Sequence, residues 1–421
     1  MGISGWLGWV GVVGVASIAF GLYLAGAFRE RIQYRFKNLP SPRSPHFPLI
    51  LSSLSNSCVT CGSFAGFWMK ASEIYSARWD AIRNARRTIH FETYDMGPGR
   101  RADEFAKILL ERAKAGVEVQ LIVDNYGAKS IPKSYWHRLQ NGGVEVRRFH
   151  TFPWRSPLDN LARTHRKLLL IDGETALVGG AGISDKWDGE AAPWLDFEIR
   201  LTGEVVAVLE GMFWQNWSYV GGVADLREDG FHSASKSGDA TMLVTPGDPS
   251  YRNSPISALV QMNLLAARER VWIASPYLLP NDDLCQTLIR SRQNGIDVCL
   301  LTMGRHSDKK YVYYAARERY RDLLDGGVEI YEYEPSMMHA KAILVDRDWV
   351  SVGSANLDPR SLFLNDELNI AIARQEIVEK FEGLFQEAFA KSNRITRNQW
   401  QRRSLWQRAL GRLALIFVRQ L

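Results

Sequence analysis

Cysteine is scarce in this sequence, with four cysteines among 421 residues. This scarcity excludes a fold held together by a framework of disulfides. Cys58 and Cys61 form one Cys-x-x-Cys pair, but the chain has no second pair at matching spacing, so a structural zinc site is not expected. With 46% hydrophobic and 23% charged residues, the composition also excludes a disordered or fibrous protein.

Neither sign of charge dominates the chain. Lys and Arg number 52 against 46 Asp and Glu, which gives a formal net charge of +6. This mild basic excess indicates anionic partners such as phospholipid, nucleic acid or phosphorylated metabolites. The length suggests two or three domains.

Charge is absent from the 23 residues at 6–28, which are almost entirely apolar. A helix of that length can cross a hydrocarbon core of about 30 Å. Four basic residues follow at once, between residues 29 and 37, and none precedes the segment. The positive-inside rule then predicts a single-pass transmembrane anchor with the rest of the chain in the cytoplasm. The alternatives are a cleaved signal peptide, since residues 25–27 are small, and a buried core helix.

Two parts of the chain repeat each other. Residues 81–124 and 265–302 each contain a helical run rich in Ala and Arg, a β-like run ending near Tyr, an amphipathic helical stretch and a second apolar strand. The matched points lie 174 to 184 residues apart, which indicates a domain duplication rather than an array of short repeats. The alternation predicts an α/β fold, in which two homologous lobes with mixed sheets and flanking helices pack as a pseudo-dimer.

Composition and duplication together divide the chain into six parts. These are the anchor and its basic flank at 1–37, a Pro-rich linker at 38–64, the first lobe at 65–225, a polar connector at 226–239, the second lobe at 240–395 and a basic amphipathic helix at 396–421. In the last part Arg alternates with Trp, Leu, Ile and Phe, which is typical of a helix on an anionic lipid surface. A helix packed on the lobes is the alternative.

A His-x-Lys motif with a downstream Asp occurs twice, in the same nine-residue frame. The six residues are His165, Lys167 and Asp172 in the first copy, and His339, Lys341 and Asp346 in the second. On a strand, His and Lys two residues apart point to the same face. Six residues separate each Asp from a Gly-rich turn, at 179–182 and at 353–356.

This set of residues suits the transfer of a phosphodiester. Of two facing imidazoles, one can attack phosphorus while the other protonates the leaving alkoxide. The two Lys, with side-chain donors from Ser354 and Asn356, would neutralise the non-bridging oxygens, so neither a metal nor another cofactor is predicted. Carboxylates would hold each imidazole in its productive tautomer, and Asp196 and Glu367 are the candidates because they lie 31 and 28 residues after the two histidines.

The paired HxKxxxxD motifs, with GSAN at 353–356, resemble the phospholipase D superfamily. The SPY at 275–277, the run GGVEIYEYEP and the run HAKAILVDRDWVSVGSANLDPRSLFLNDELN resemble bacterial cardiolipin synthases of the phospholipase D type, over roughly residues 65–395. This resemblance implies one active site between two α/β lobes and metal-independent transphosphatidylation. It also implies that His165 is the nucleophile and His339 the general acid.

The first half departs from the family pattern. Gly182 stands where the family usually has Asn, as at Asn356, and Gly180 stands opposite Ser354. Backbone N–H groups at Gly180 and Gly182 would then bind the phosphate oxygens in that half.

The expected function is a phosphatidyltransferase of the bacterial inner membrane that forms cardiolipin from two phosphatidylglycerol molecules. The expected partners are anionic phospholipid and the membrane, without nucleic acid, and no oligomeric state is predicted. Three alternatives stay open: a phospholipase D-type hydrolase, a phosphodiesterase acting on nucleic acid, and a lipid-binding scaffold without activity.

Overall fold

A large mixed β-sheet with helices on both faces runs through both halves of the chain. The computed structural model describes residues 3–24, 32, 34–149, 162–189, 192–224, 238–248 and 253–416. The helices are α1 (Ile3–Leu24), α2 (Phe47–Ser55), α3 (Ala71–Arg83), α4 (Arg100–Lys114), α5 (Lys133–Asn141), α6 (Glu204–Tyr219), α7 (Pro255–Ala266), α8 (Asp282–Gln293), α9 (Lys310–Asp325), α10 (Pro359–Phe363), α11 (Gln375–Ala390), α12 (Arg397–Gln401) and α13 (Leu405–Ile416). The strands are β1 (Cys58–Trp68), β2 (Thr88–Thr93), β3 (Glu118–Asp124), β4 (Glu145–Phe149), β5 (Leu168–Ile171), β6 (Thr175–Gly179), β7 (Glu198–Thr202), β8 (Ala240–Gly247), β9 (Arg270–Ala274), β10 (Asp297–Met303), β11 (Glu329–Tyr333), β12 (Ala342–Val345), β13 (Trp349–Gly353), β14 (Glu367–Ala373) and β15 (Ser392–Arg394).

The strand order repeats on the two sides of the sheet's centre. From the centre outward it is β1, β7, β6, β5, β2, β3, β4 on one side and β8, β14, β13, β12, β9, β10, β11 on the other, with β15 at the second edge. β1 and β8 pair antiparallel at the junction. Each strand of the first lobe therefore has a counterpart in the second. The prediction of two homologous α/β lobes is confirmed.

Each lobe combines parallel and antiparallel strands. β2, β3 and β4 are parallel to one another, as are β9, β10 and β11, and the remaining pairs within the lobes are antiparallel. Parallel neighbours need crossover connections, which α4 and α5 supply in the first lobe and α8 and α9 in the second. One face of the sheet packs on α6 and α11, and the opposite face on the remaining helices of the two lobes. β5 and β12 are wholly buried, which explains their unbroken apolar sequences.

The Pro-rich segment predicted as a linker is only partly irregular. Within residues 38–64 the structure forms α2 and the first half of β1, and β1 joins the two lobes by pairing with both β7 and β8. Phe47 and Leu51 of α2 are fully buried in the core of the second lobe. The strand that carries Cys58 and Cys61 thus belongs to the central sheet. Most of the predicted connector lies outside the described residues, which omit 225–237.

Helix α1 coincides with most of the segment for which a transmembrane anchor is predicted. Residues 25–31, which include the end of that segment and the start of its basic flank, lie outside the described residues. Within the described part of the chain, no helix combines the length and the apolarity needed to cross a membrane. The predicted transmembrane anchor is therefore not confirmed.

The basic C-terminal segment forms two short helices, α12 and α13, rather than one. It packs on α9 of the second lobe, where the guanidinium of Arg403 lies 2.7 Å from Oε1 of Glu318. Nε1 of Trp400 donates a hydrogen bond to the Arg317 carbonyl at 2.6 Å. The other side of α13 exposes Leu405, Trp406 and Leu413. Residues 417–421 lie outside the described part of the chain.

Candidate active site

His165 lies in a short extended segment that precedes β5 and crosses to the other lobe. Thr164 and Asp366 form a parallel bridge, in which the His165 N–H donates to the Asp366 carbonyl at 2.7 Å. Nδ1 of the buried His165 imidazole lies 3.0 Å from Oε2 of Glu367 and 3.1 Å from the Ser354 carbonyl. The ring also packs edge-on against Tyr94, with 5.1 Å between centroids. Two residues of the second lobe thus orient a histidine of the first.

His339 occupies the equivalent place in the second lobe. Leu195 and Met338 form the matching parallel bridge, and the His339 N–H donates to the Leu195 carbonyl at 2.7 Å. Nδ1 of His339 lies 2.8 Å from Oδ2 of Asp196. The ring is flanked by two tryptophans of the first lobe, Trp187 at 5.4 Å and Trp194 at 5.6 Å between centroids. Each histidine therefore takes its carboxylate from the other lobe.

The predicted carboxylates and histidines come together in this crossed arrangement. The sequence pattern named Asp196 and Glu367 but did not show which imidazole each would bind. Because Nδ1 faces a carboxylate in both rings, Nδ1 carries the proton and Nε2 is left for the reacting group. A site of this kind needs both lobes, since neither lobe alone holds a histidine with its partner.

The predicted lysines lie beside their histidines. Nζ of Lys167 donates to the His165 carbonyl at 2.6 Å, and Nζ of Lys341 donates to the His339 carbonyl at 2.5 Å. Nζ of Lys341 also lies 2.9 Å from Nδ1 of His339. The Lys341 ammonium thus lies against the His339 ring, where it is also 3.0 Å from Nε2, and the Lys167 ammonium lies beside the His165 backbone. Both can neutralise the charge of a phosphate bound at the histidines.

Burial and mutual repulsion shift the ionisation of these groups. Burial, followed by the charge of Lys341, holds the pKa of His339 well below its usual value. Burial also lowers the pKa of His165 to about 4, although Glu367 opposes this shift. The pKa of Lys167 falls to about 8 and that of Lys341 to about 7, in both cases mainly through burial. A phosphodiester would add negative charge among these groups and so favour their protonated forms.

The two carboxylates differ in their ionisation. Burial raises the pKa of Asp196, and the nearby Lys341 and Trp187 offset part of this shift. Burial acts in the same direction on Glu367, but His165, Lys167 and the Ser354 hydroxyl together bring its pKa below the usual value. The site thus pairs one carboxylate that favours ionisation with one that resists it.

A cavity of about 380 Å³ opens over the two imidazoles, between the lobes. Its lining includes six cationic residues, three acidic residues and six aromatic residues. The cations are Lys129, Arg163, Lys167, Lys186, Lys309 and Arg360, the acids are Asp95, Asp308 and Asp358, and the aromatics are Tyr94, Tyr126, Trp187, Trp194, Tyr277 and Tyr311. The excess of cations suits an anionic ligand. Among the described residues, no cluster of three or more His, Cys, Asp and Glu could hold a metal ion.

Asp172 and Asp346, predicted as catalytic, lie outside the cavity. Each follows β5 or β12, about 17 Å along the strand from its Lys, if each of the five residues rises about 3.3 Å. Asp172 accepts hydrogen bonds from the N–H groups of residues 86–88, and Asp346 accepts them from those of residues 268–270. The downstream Asp of the motif is therefore a structural residue that fixes the start of β2 or β9. Their position away from the cavity argues against the predicted catalytic role of Asp172 and Asp346, which stays a prediction.

The structure places some of the predicted phosphate-binding residues at the cavity and others away from it. Asn356 lines the cavity, whereas the Ser354 hydroxyl donates to Oε2 of Glu367 at 2.5 Å. The Gly180 N–H is taken by the Phe197 carbonyl at 3.3 Å, and Gly182 is absent from the lining of the cavity. Gly180 and Ser354 are therefore not placed to bind substrate, because the strand pairing and the carboxylates use their polar groups.

The sequence pattern did not predict the aromatic residues that flank the two histidines. Trp187 and Trp194 flank His339, and Tyr94 packs on His165. The only available signal was the repeated Tyr at the end of β2 and β9, and only the first of these tyrosines contacts a site histidine in the described contacts. Both tryptophans lie in the stretch between β6 and β7, and the corresponding stretch between β13 and β14 contains no tryptophan.

The two-lobed sheet and the crossed His, Lys and carboxylate set define the phospholipase D-like class of proteins. Residues 79–190 and 260–389 match the family model described as "Cardiolipin synthase, PLD-like domain". These ranges cover more than half of the chain, and the chain belongs to this family.

Named relatives agree with this assignment. The chain is 35% identical over 344 residues to cardiolipin synthase 2 of Bacillus anthracis, an alignment that covers 80% of this chain and 66% of that protein, just under two thirds of its length. It is 32% identical over 372 residues to a cardiolipin synthase of Geobacillus kaustophilus, covering 86% and 74%. The crystal structure of phosphatidylserine synthase from Haemophilus influenzae Rd KW20 has a similar fold, with a TM-score of 0.66 at 14% identity, over 87% of this chain and 96% of that one.

Proposed function

We propose that this protein is a phosphatidyltransferase that forms cardiolipin from two phosphatidylglycerol molecules. The observation that carries the proposal is the pair of buried histidines at one cavity, each bound through Nδ1 to a carboxylate of the other lobe. This arrangement provides one nucleophile and one acid for a single phosphodiester. The relatives named cardiolipin synthase support the choice of substrate.

In the first step, Nε2 of His165 attacks the phosphorus of a phosphatidylglycerol. The N–P bond forms as the bond to the glycerol headgroup breaks, and protonated His339 donates its proton to the departing alkoxide, which leaves as glycerol. The ammonium groups of Lys167 and Lys341 neutralise charge on the non-bridging oxygens. Burial lowers the pKa of His165 to about 4 and so keeps its imidazole unprotonated and nucleophilic at neutral pH. Burial lowers the pKa of His339 as well, so its role as the acid relies on the bound phosphodiester, whose negative charge favours the imidazolium.

In the second step, the hydroxyl of another phosphatidylglycerol attacks the phosphohistidine. His339, now neutral, accepts the hydroxyl proton as the new O–P bond forms and the N–P bond breaks. Cardiolipin leaves, and His339 is again protonated for the next cycle. The cavity lies at the lower end of the usual range for ligand sites, which suits two headgroups more than whole lipids.

The direct test uses purified protein and vesicles of defined phosphatidylglycerol, with lipids and glycerol measured by mass spectrometry. We expect equal amounts of cardiolipin and glycerol from the wild-type protein. Phosphatidic acid in place of cardiolipin would show a hydrolase instead. Added glycerol separates the two further, because only a transferase converts cardiolipin back to phosphatidylglycerol.

We also propose that the protein works on the surface of an anionic membrane, with the outer side of α13 against the lipid. Leu405, Trp406 and Leu413 are 82%, 71% and 56% exposed on this helix. Arg402 is exposed just before the helix and the Arg412 side chain is 76% exposed within it. Anionic headgroups attract such cations while apolar side chains enter the interface. The opposite side packs on α9 and therefore fixes the orientation of the lobes. Location in the bacterial inner membrane, with the lobes in the cytoplasm, stays a prediction.

This second proposal is tested by sedimentation with vesicles that contain phosphatidylglycerol. The double variant Leu405→Gln and Trp406→Gln should bind several-fold more weakly, since it removes the most exposed apolar groups of the helix. Val223→Gln, which changes an 85% exposed residue of the first lobe, is the control and should bind as the wild type does. Equal binding of all three proteins would refute the role of α13.

A further inference from the structure

The two carboxylates of the site receive different hydrogen-bond donors. In the second lobe, the Ser354 hydroxyl donates to Oε2 of Glu367 at 2.5 Å, the same oxygen that binds His165. The equivalent of Ser354 in the first lobe is Gly180, which has no side chain to donate. Asp196 therefore lacks the hydroxyl donor that its counterpart has at the histidine-binding oxygen, while the Phe197 N–H donates to its other oxygen, Oδ1, at 2.9 Å.

The first lobe has no room for a serine at that position. A Cβ atom on Gly180 would lie 2.2 Å from Oδ1 of Asp196, a distance that real Cβ atoms do not adopt. Asp196 is one carbon shorter than Glu367, and its carboxylate occupies the space that a serine side chain would need. The change from Ser to Gly and the change from Glu to Asp are therefore linked by geometry.

Trp187 supplies the missing donor. Its indole Nε1 donates to Oδ2 of Asp196 at 2.9 Å, and the same oxygen binds Nδ1 of His339 at 2.8 Å. The indole thus does for Asp196 what the Ser354 hydroxyl does for Glu367. The Trp187 side chain is almost fully buried and packs edge-on against His339, which leaves its position well defined.

The second departure in this half of the chain, Gly182, is required first by the backbone of Asp95, and the same indole ring lies next closest. Cη2 of Trp187 lies 3.1 Å from the Cβ that a side chain at Gly182 would carry, and the Asp95 carbonyl oxygen lies closer still. An asparagine at this position, equivalent to Asn356, would meet the indole. Trp187 therefore occupies space near Gly182 and contributes a donor in place of the group missing at Gly180.

We propose that Trp187 is a positioning residue for the general acid, acting on His339 through Asp196. The inference rests on the proposed phosphatidyl transfer and adds a residue that the repeated motif does not contain. Loss of the indole N–H would leave a buried carboxylate with one donor fewer and His339 less firmly held. Hydrogen bonds to charged groups are strong, so kcat should fall about ten- to a hundredfold.

The variant Trp187→Phe tests this, because it keeps an aromatic ring and removes the N–H. Trp79→Phe is the matched control, since Nε1 of Trp79 donates to Glu104 at 3.1 Å in the same lobe but outside the cavity. Cardiolipin formation from phosphatidylglycerol vesicles is measured for both variants and for the wild type. We expect a lower kcat with little change in KM for W187F, and wild-type kinetics for W79F.

The pH dependence of kcat distinguishes positioning from packing. The indole N–H helps to lower the pKa of Asp196, and its removal raises that pKa. Because Asp196 must be ionised to orient His339, the acid limb of the rate profile should move to higher pH in W187F. A role in packing alone would lower the rate without moving this limb.

A third variant restores the pattern of the other lobe. W187F combined with G180S and D196E rebuilds the pair that Ser354 and Glu367 form, and it should regain part of the lost rate. If thermal unfolding shows that W187F alone is unstable, the activity of the triple variant tests the inference instead.

The inference is overturned by an unchanged kcat in W187F, by a lower kcat with an unmoved acid limb, or by a folded triple variant that is no more active than W187F. A wild-type protein that makes no cardiolipin would instead refute the proposed function, so the two failures are distinguishable.

Discussion

The half of the site around His165 and the half around His339 have the same arrangement of groups but build it from different residues. Glu367 is bound by a serine hydroxyl and by His165, while Asp196 is bound by an indole N–H and by His339. The pKa of Glu367 is lowered and that of Asp196 is raised, the latter chiefly by burial. Duplication thus preserved the crossed geometry of the site while the environments of the two imidazoles diverged.

This divergence suits two imidazoles with different tasks. A firmly ionised Glu367 stabilises positive charge on His165, as a nucleophile that becomes bonded to phosphorus requires. An Asp196 that resists ionisation binds its histidine less strongly as a cation, so His339 can release a proton and take it up again. The assignment implied by family resemblance, with His165 as nucleophile and His339 as general acid, is consistent with these environments. This assignment can be tested with variants that change one half of the site at a time.

The largest effect should come from removing either imidazole. His165→Ala should abolish both turnover and covalent labelling, because no nucleophile remains to form the N–P bond. His339→Ala should lower kcat about 10²- to 10⁴-fold with phosphatidylglycerol. With a phosphatidyl p-nitrophenyl ester, whose leaving group needs no proton, His339→Ala should still form the phosphoenzyme. Labelling of His165→Ala, with none in His339→Ala, would reverse the two roles.

The next largest effect concerns the crossed carboxylates. Glu367→Gln and Asp196→Asn each remove the charge that holds an imidazole of the other lobe, and each should lower kcat at least about a hundredfold. With the p-nitrophenyl ester the two should differ, since Glu367→Gln impairs the nucleophile and Asp196→Asn mainly the acid. Phosphoenzyme formation by rapid acid quench measures the difference. Equal impairment of both variants on that ester would show that the carboxylates do not serve separate histidines.

Much of this architecture could be predicted from the sequence, because duplication makes local signals appear twice. The matched runs predicted two α/β lobes, and the matched frames predicted both histidines, both lysines and the two carboxylates. Short apolar runs between polar or turn residues, such as residues 168–171, are typical of buried strands. Because each pattern occurs twice, it supports these predictions more strongly than a single motif would.

The differences between prediction and structure have an equally physical origin. The frame of the motif made Asp172 and Asp346 look catalytic, but the pattern carries no information on the length of a strand or on the backbone groups near its end. Each carboxylate reaches the histidine of the other lobe because the two lobes pack together, and no local sequence pattern indicates this contact. Trp187 was missed because it has no repeat in the second lobe, and a residue that differs between the halves is invisible to a comparison of what they share.

A smaller effect, on the pH dependence of phosphate binding, should distinguish Lys341 from Lys167. With pKa values of about 7 for Lys341 and about 8 for Lys167, the cavity loses positive charge as the pH rises through this range. Binding of inorganic phosphate should therefore weaken above pH 7 and be accompanied by proton uptake. Lys341→Arg keeps its charge and should flatten the dependence near pH 7. Lys107→Arg, at an exposed position of α4, is the control. Calorimetry in buffers of different ionisation enthalpy measures the uptake, and an unaltered profile in Lys341→Arg would contradict the assignment.

The smallest effect on activity should come from the two aspartates outside the cavity. Each accepts hydrogen bonds from three backbone N–H groups, and each adopts a left-handed conformation, with φ of 57° at Asp172 and 52° at Asp346. Asparagine tolerates this conformation, so Asp172→Asn and Asp346→Asn test the carboxylate alone. Each should lower the free energy of unfolding by about 1–3 kcal/mol.

Asp346→Asn should cost more than Asp172→Asn, because Asp346 is buried and Asp172 is partly exposed. Thermal unfolding measures the loss, and kcat at a temperature where both variants are folded should match the wild type. A reduced kcat in a fully folded variant would return that aspartate to the catalytic set. In that case the influence of the residue would have to travel along β5 or β12 to the lysine at its other end, since its carboxylate does not reach the cavity.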